Sequence, residues 1–558
     1  MRRRPLTCLF LACISALCLF AQPKPRRPDI TVTSLGTVGA ASVRIRRDPA
    51  TGIFFILQND GNILRVAFLP GGSVSDSIVY RQSDHGLNHP LGLAFGKDGT
   101  MYLAGNDSTG QLGTATVVKG VPDLPGSLHR TWTVIAKTVL YPYGHVYNHR
   151  VSGIIVSPAG DSLYVNSGAA TDHGELREGT REVGLTSIIL KLPVNGENIT
   201  LENDREWLRS NGYLMAEGIR NTFDFAYAGN GDLFGVENSG DRDDPDELNW
   251  IREGHHYGFP WRIGGNNTPQ RFTLYDPHHD PLLNPAAWGG GSLYTTFSND
   301  PAYPAPPDGV TFTEPVMSSG PDADRYRDTA TGLVKDAGNL GQGLATFTPH
   351  RSPDGIVFDR DSLLAGDLKG GGFVTSLATS IMLQTLGDTS QDLVHLDLTK
   401  TGDGYTAHIT RIVSGFNAPM GIELDGSTLY VLETGLEGTN SSPKLWKVTL
   451  PAAVRTGVTG GNALPSSFAL QQNYPNPFNP STSIDFTIPV SGMATLGVYD
   501  VLGRQVKILM NGIVRAGTHS VQWDGRDSRG TPAGSGVYFY RLAAGLDRPL
   551  TKKMIVVR

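Results

Sequence analysis

The sequence predicts an all-β protein: a six-bladed β-propeller followed by a small Ig-like β-sandwich. Three observations carry this expectation. A strand–turn–strand pattern recurs six times through the body. The chain holds 68 Gly and 36 Pro with only 18% charged residues, a mix suited to short strands joined by tight turns, because Gly supplies positive φ and Pro pre-sets it. Strand patterning then resumes beyond a Gly- and Ser-containing linker near the C-terminus.

The six copies are Ser42–Leu57, Pro90–Ala104, Gly153–Asn166, Phe223–Glu237, Pro353–Gly366 and Pro419–Glu433. Each reads as an apolar strand, a polar turn with Gly or Asp, and a second strand rich in Leu, Tyr or Phe. Third strands follow at Asn62–Val66, Ser187–Leu192, Asp392–Leu398 and Lys444–Leu450. One such unit cannot bury both of its faces, whereas closing the units into a ring does so and protects the strand edges. A pair of β-sandwiches is the alternative, and the blade-like spacing favours the propeller. Between Trp261 and His350 no clean copy occurs, which predicts a long inserted loop framing one face. The propeller is assigned to 30–451, a linker to 452–467 and the C-terminal domain to 468–558. In that domain Ile484, Phe486 and Ile488 alternate as in a half-buried strand, and further strands are expected at Ala494–Tyr499, Gly517–Trp523, Gly536–Ala543 and Lys552–Val557.

The first segment, 1–21, pairs Arg2, Arg3 and Arg4 with an apolar run from Leu6 to Ala21. A basic start and a short apolar core read as a removable signal peptide, since the run is short for a bilayer span. Cys8, Cys13 and Cys18 all lie inside it, so the mature chain is expected to lack disulfides and thiol chemistry. Net charge is −6, which provides no basic field for nucleic acid.

Residues able to carry chemistry stand in three places. His149 opens a strand, and a neutral imidazole suits a general base; a structural donor is the alternative. Arg220-Asn221 stands at the start of another inner strand, where a charged side chain must find partners near the channel. The stretch Asp241–Glu247 holds five carboxylates in seven residues, a density of hard oxygen ligands that suits calcium; a solvated loop is the alternative. Asp246 and Glu247 are the expected ligands.

The strings Glu217-Gly218-Ile219-Arg220-Asn221, Glu237-Asn238-Ser239-Gly240, Asp246-Glu247-Leu248-Asn249 and Tyr257-Gly258-Phe259-Pro260 resemble the glucose/sorbosone dehydrogenase family of soluble propellers. His149 ahead of Val151-Ser152-Gly153-Ile154, and Ser352-Pro353-Asp354-Gly355, extend the resemblance, which runs roughly from Gly36 to Leu450. It implies a dehydrogenase using pyrroloquinoline quinone (PQQ) and calcium on a sugar or related hydroxyl or aldehyde substrate. By resemblance, His149 would be the base. Arg220 would bind the cofactor and polarise its quinone oxygen, with Asn221 beside it. Backbone carbonyls near Ser239 and Gly240 would hold calcium, and Lys369 would meet a cofactor carboxylate. The chain departs from the pattern at Thr222, where the family has Pro, and at Phe259, where it has Trp.

Two other functions compete. One is a non-catalytic propeller that binds glycan or protein at the cell surface. The other is a metal-dependent lactonase using Glu217, Asn221 and Asp224. At the C-terminus, Gln472-Asn473-Tyr474-Pro475-Asn476-Pro477-Phe478-Asn479-Pro480, Tyr499-Asp500-Val501-Leu502-Gly503-Arg504, Gly536-Val537-Tyr538 and Lys552-Lys553-Met554 resemble the type A sorting domain of the type IX secretion system. That implies passage through the periplasm, recognition by the outer-membrane translocon, and a secreted or surface location.

Overall fold

The computed structural model describes residues 22–142, 149, 151–177, 179–272, 274–284, 296–378, 381–435, 442–453, 468–488, 492–514, 517–544 and 549–557. The expected signal peptide and most of the expected linker lie outside these residues. Among the described residues, six sheets of the body each begin with a strand that packs on the first strand of the next sheet. These inner strands are Ser42–Arg47, His89–Phe95, Val151–Val156, Thr222–Tyr227, Pro353–Phe358 and Pro419–Asp425, and the last packs on the first to close a ring. Because each inner strand is covered by a sheet on either side, it reads as a nearly continuous buried run; all six residues of Thr222–Tyr227 are buried. The ring is fastened by hydrogen bonds between distant parts of the chain. Thr31–Thr37 pairs antiparallel with Lys444–Thr449 and forms the outer edge of the sixth sheet.

The inner strands share a device at their third or fourth residue. In all six the register shifts at or just before it. In four sheets that residue is glycine: Gly92, Gly153, Gly355 and Gly421. A Cβ at Gly92 would lie 2.6 Å from the carbonyl oxygen of Ser152 on the neighbouring inner strand, and one at Gly355 would lie 2.4 Å from that of Met420. Glycine is therefore required by the close approach of backbones around the axis. In the remaining two sheets the residue is Arg44 or Asp224, and these two fill the space the glycines leave. Arg44, 1% exposed, donates from Nε to the Leu91 carbonyl at 3.0 Å and from Nη1 to the Asp354 carbonyl at 3.2 Å, and a further Nη2–H bond reaches the Phe223 carbonyl. Its guanidinium lies 3.4 Å from the Asp224 carboxylate, which also takes Arg46 at 2.5 Å. One charge pair thus plugs the channel and ties four sheets together.

Most expected strands are present, with one displacement. In Pro353–Gly366 the second strand is not Leu363–Gly366 but Gly372–Ser376. The intervening residues form a long connection in which Leu364 is buried and bridged to Ala452. The inserted region after Trp261 contributes short pieces, including Met317–Pro321, which runs parallel to Gly404–Ser414 and widens the fifth sheet. Two further sheets form the C-terminal sandwich around Phe478, Phe486, Leu496, Trp523, Tyr540 and Met554. One of its strands, Gln505–Val514, was not expected from the sequence. Asn473 of the sorting-like motif is buried and donates to the Pro475 carbonyl and to Thr482 Oγ1.

Candidate functional site

The loops preceding the inner strands, and those joining second to third strands, emerge at the same end of the ring. His149 precedes Val151–Val156, Arg220-Asn221 precedes Thr222–Tyr227, and Asn238–Gly240 follows Leu233–Glu237. Ala169 couples the first two loops: its carbonyl accepts the His149 N–H at 2.9 Å and its own N–H donates to the Arg220 carbonyl at 2.7 Å. A Cβ at Gly168 would sit 2.5 Å from that of His149, so a side chain there would displace the histidine.

His149 Nε2 stands 3.5 Å from Arg220 Nη1. Burial, reinforced by the Arg220 guanidinium, holds the imidazole well below the ordinary histidine range, so the ring is neutral at physiological pH. Its Nδ1 is buried without a hydrogen-bond partner. Arg220 is itself buried and positioned by three bonds. Nε donates to the Asp172 carbonyl at 2.8 Å, Nη2 to Asp172 Oδ1 at 2.6 Å, and Nη1 to the Asn238 carbonyl at 3.0 Å. Asn221 is buried beside it and its carbonyl accepts the Asn238 N–H at 3.3 Å. The ring therefore brings His149 and Arg220 together at one end, with Asn221 beside Arg220.

Sequence reasoning missed Asp172. Its burial alone would raise its pKa, but Arg220 and His173 outweigh that and hold the carboxyl below the usual carboxylate range. It also receives the Asp241 N–H at 3.2 Å. The available signal was positional: Asp172 follows the second strand of its sheet, and that connection opens at the same end as His149. Asp241 next to it is pushed up to about 7, by burial first and by Asp172 second.

The four residues expected to hold calcium do not form one cluster. Asp246 braces the loops: Oδ1 accepts from Ser239 N–H and O–H at 2.8 and 2.7 Å, and Oδ2 accepts the Ser352 N–H at 2.9 Å. Gly240 abuts Asp172 instead, where a Cβ would lie 3.0 Å from the carboxylate. Glu247 turns elsewhere, accepting the Gly264 N–H at 2.7 Å and Asn249 Nδ2 at 2.9 Å. The same Asn249 amide reaches Glu237 Oε2 at 3.4 Å, and its own Oδ1 is buried without a partner. Burial pushes Glu237 up to about 7, while burial and repulsion from Glu237 push Glu247 well above its ordinary value. Among the described residues no three His, Cys, Asp or Glu side chains gather as a metal set.

Lys369 is not at this end. It is exposed, in the connection between Pro353–Phe358 and Gly372–Ser376, where the inner strand finishes. The reason is topological: this connection joins a first strand to a second and so opens on the opposite face. The lactonase set is likewise dispersed. Glu217 pairs with Arg205 at 3.0 Å and Arg209 at 2.6 Å, whereas Asp224 is committed to the channel plug.

Residues 51–292 match the Glucose / Sorbosone dehydrogenase family. That span contains His149, Asp172, Arg220, Asn221 and the loop to Glu247, and it excludes Lys369. Residues 480–547 match the FlgD Ig-like domain. No curated protein matches the chain. Among solved structures, the chain is similar to the PQQ-bound aldose sugar dehydrogenase of Streptomyces coelicolor, at 14% identity over 76% of this chain and 99% of that one, with TM-score 0.43. It is similar to the apo-form of the soluble aldose sugar dehydrogenase of Escherichia coli, at 16% identity over 75% and 99%, with TM-score 0.43. A third is the holo PQQ domain of pyranose dehydrogenase from Coprinopsis cinerea, at 12% identity over 77% and 97%, with TM-score 0.46.

Proposed function

We propose that the protein is an exported PQQ- and calcium-dependent dehydrogenase that oxidises a sugar or related hydroxyl or aldehyde substrate. The observation that carries this reading is the pairing of a neutral, buried His149 with the fixed guanidinium of Arg220 at one mouth of the ring. His149 takes the proton of a substrate hydroxyl through Nε2, the nitrogen that faces Arg220. Arg220 donates to an oxygen bearing developing negative charge, and Asp172 and Asn238 hold it for that task. PQQ, when bound, supplies the hydride acceptor. Arg220 and Asn221 are the residues that would meet its quinone edge.

The carboxylate edge of the cofactor is a harder fit. Asp172, Asp241 and Asp354 leave this mouth rich in acids, so a bound cation is needed to bring in a polyanion. Glu237, Glu247 and the unpartnered Asn249 Oδ1 offer hard oxygens for calcium, and the carbonyls of Ser239 and Gly240 would be a second place to hold an ion. Export rests on the signal-like 1–21 segment and on the C-terminal motifs, which address the chain to the type IX translocon and to a secreted or surface location.

The test is reconstitution of the purified protein with PQQ and calcium, followed by desalting, cofactor absorbance and dye reduction across a sugar panel. The expected result is retained cofactor and dye reduction that falls at least ~100-fold in His149→Ala without unfolding. A folded, calcium-loaded protein that retains no cofactor overturns the reading. It would leave a surface propeller binding glycan or protein, a reading favoured by one feature: the Arg220 guanidinium already has protein partners on all three nitrogens.

A further inference from the structure

The other mouth of the channel has a different chemistry. Below the Arg44–Asp224 plug, the last residues of the inner strands enclose a cavity of about 330 Å³. Its walls are apolar, with Phe95 and Phe358 among them, and its charged lining is Arg46, Arg47, Arg360 and Glu423. The guanidinium of Arg46 is already bonded, to Asp224 and to the carbonyls of Ile45 and Ile422. Arg44 and Arg46 share the Asp224 carboxylate behind the cavity floor.

Arg47 and Arg360 are less engaged. The Arg47 Nε is buried without a hydrogen-bond partner, and its ion pair is a loose one with the half-exposed Asp425 at 3.6 Å. Arg360 forms no ion pair among the described residues; its guanidinium lies 5.9 Å from the ring of Tyr227, a buried residue lining the same cavity whose hydroxyl also has no partner. Glu423 is the only carboxylate in the lining. Burial raises it to about 7 against the pull of Arg46 and Arg47.

We propose that this lower mouth is an oxyanion-binding site, in which Arg47 and Arg360 grip a carboxylate or phosphate group and the aromatic wall takes an apolar body attached to it. Guanidinium forks from two sheets match a planar or tetrahedral oxyanion. The plug separates this site from the His149 mouth, so the site is independent of the dehydrogenase reading.

Titration of the full chain with benzoate, with inorganic phosphate and with neutral benzamide, followed by calorimetry, tests it. Benzoate or phosphate should bind with one-to-one stoichiometry and benzamide should not. Benzoate binding alone assigns a carboxylate on an apolar body, and equal binding of phosphate assigns a simple oxyanion. The double substitution Arg47→Ala and Arg360→Ala should weaken binding at least tenfold, whereas Lys97→Ala, a cation on a turn of the same face outside the cavity, should leave it unchanged. Glu423→Gln, which removes the opposing charge and leaves the arginines in place, should tighten binding two- to threefold. No anion binding by the folded chain, or binding indifferent to both the arginines and Glu423, overturns the proposal.

Discussion

The two mouths of the ring are made from the same repeated unit and carry opposite chemistry. At the His149 end, loops rich in acids converge, and Arg220 is held among them by Asp172, which also takes the Asp241 N–H. At the other end the strands simply terminate, and Arg46, Arg47 and Arg360 stand there among apolar and aromatic walls with Glu423. The difference arises at one level of the fold. Four inner strands carry glycine at this register-shift position, while Arg44 and Asp224 cross the opening in the other two. A site can be built on loops above that level without disturbing strand packing, because the plug and not the loops ties the inner strands across the axis.

The strongest way to break the comparison is to remove the plug. Asp224→Ala leaves Arg44 and Arg46 buried without their carboxylate, and loss of one partner of a buried pair costs about 3–5 kcal/mol. The midpoint of guanidinium unfolding, read by tryptophan fluorescence, should fall accordingly. Arg504→Ala, which breaks the exposed Arg504–Asp500 pair of the C-terminal sandwich and leaves the backbone bonds to Asp500 in place, should leave the midpoint nearly unchanged. Equal effects would mean that Arg44 does not depend on Asp224. A smaller effect on stability, but a specific one on the site, is expected at Asp172. Asp172→Asn keeps a hydrogen-bond acceptor for Arg220 while removing the charge. It should reduce cofactor retention and dye reduction together, and Gly168→Ala should do the same by pushing His149 away. If Asp172→Asn lowers only the melting temperature, the residue serves folding alone.

Much of this was legible in the sequence, for reasons that can be named. The repeats declare themselves because a strand buried on both sides must be apolar throughout, and a turn between two short strands needs Gly or Asp. The pairing of His149 with Arg220 was reachable because both precede inner strands, so the ring brings their loops to one end. The recurring glycines stand in the same repeats, yet their meaning depends on the Cβ-free approach of neighbouring backbones, which no single strand reveals. Asp172 was invisible for a related cause: its partner lies 48 residues away, in another sheet. The five carboxylates of Asp241–Glu247 looked like one ligand set because they are close in sequence. The backbone turns them apart, so that Asp246 meets Ser239 and Ser352 while Glu247 meets Gly264 and Asn249. Lys369 was misplaced because a connection's face depends on which strands it joins, and the second strand of that sheet begins later than the pattern indicated.

The smallest expected effect concerns Glu237 and Glu247 and sharpens the contrast between acidic and basic ends. Both carboxyls titrate above the ordinary glutamate value of about 4.3. The folded chain therefore holds protons that the unfolded chain has lost. Stability supplied by these groups is complete at low pH and declines as pH rises from about 4 through the folded value near 7 for Glu237. A cation placed between them reverses the sign, since it binds the ionised pair and displaces the protons. Calcium binding at pH 6.5 should release about one to two protons, measured by calorimetry in buffers of different ionisation enthalpy. The apparent affinity should rise with pH, and Glu247→Gln should reduce the release. Calcium binding without proton release would place the ion elsewhere in the mouth, against the carbonyls of Ser239 and Gly240, and would leave Glu237 and Glu247 as a proton-sharing pair bridged by Asn249.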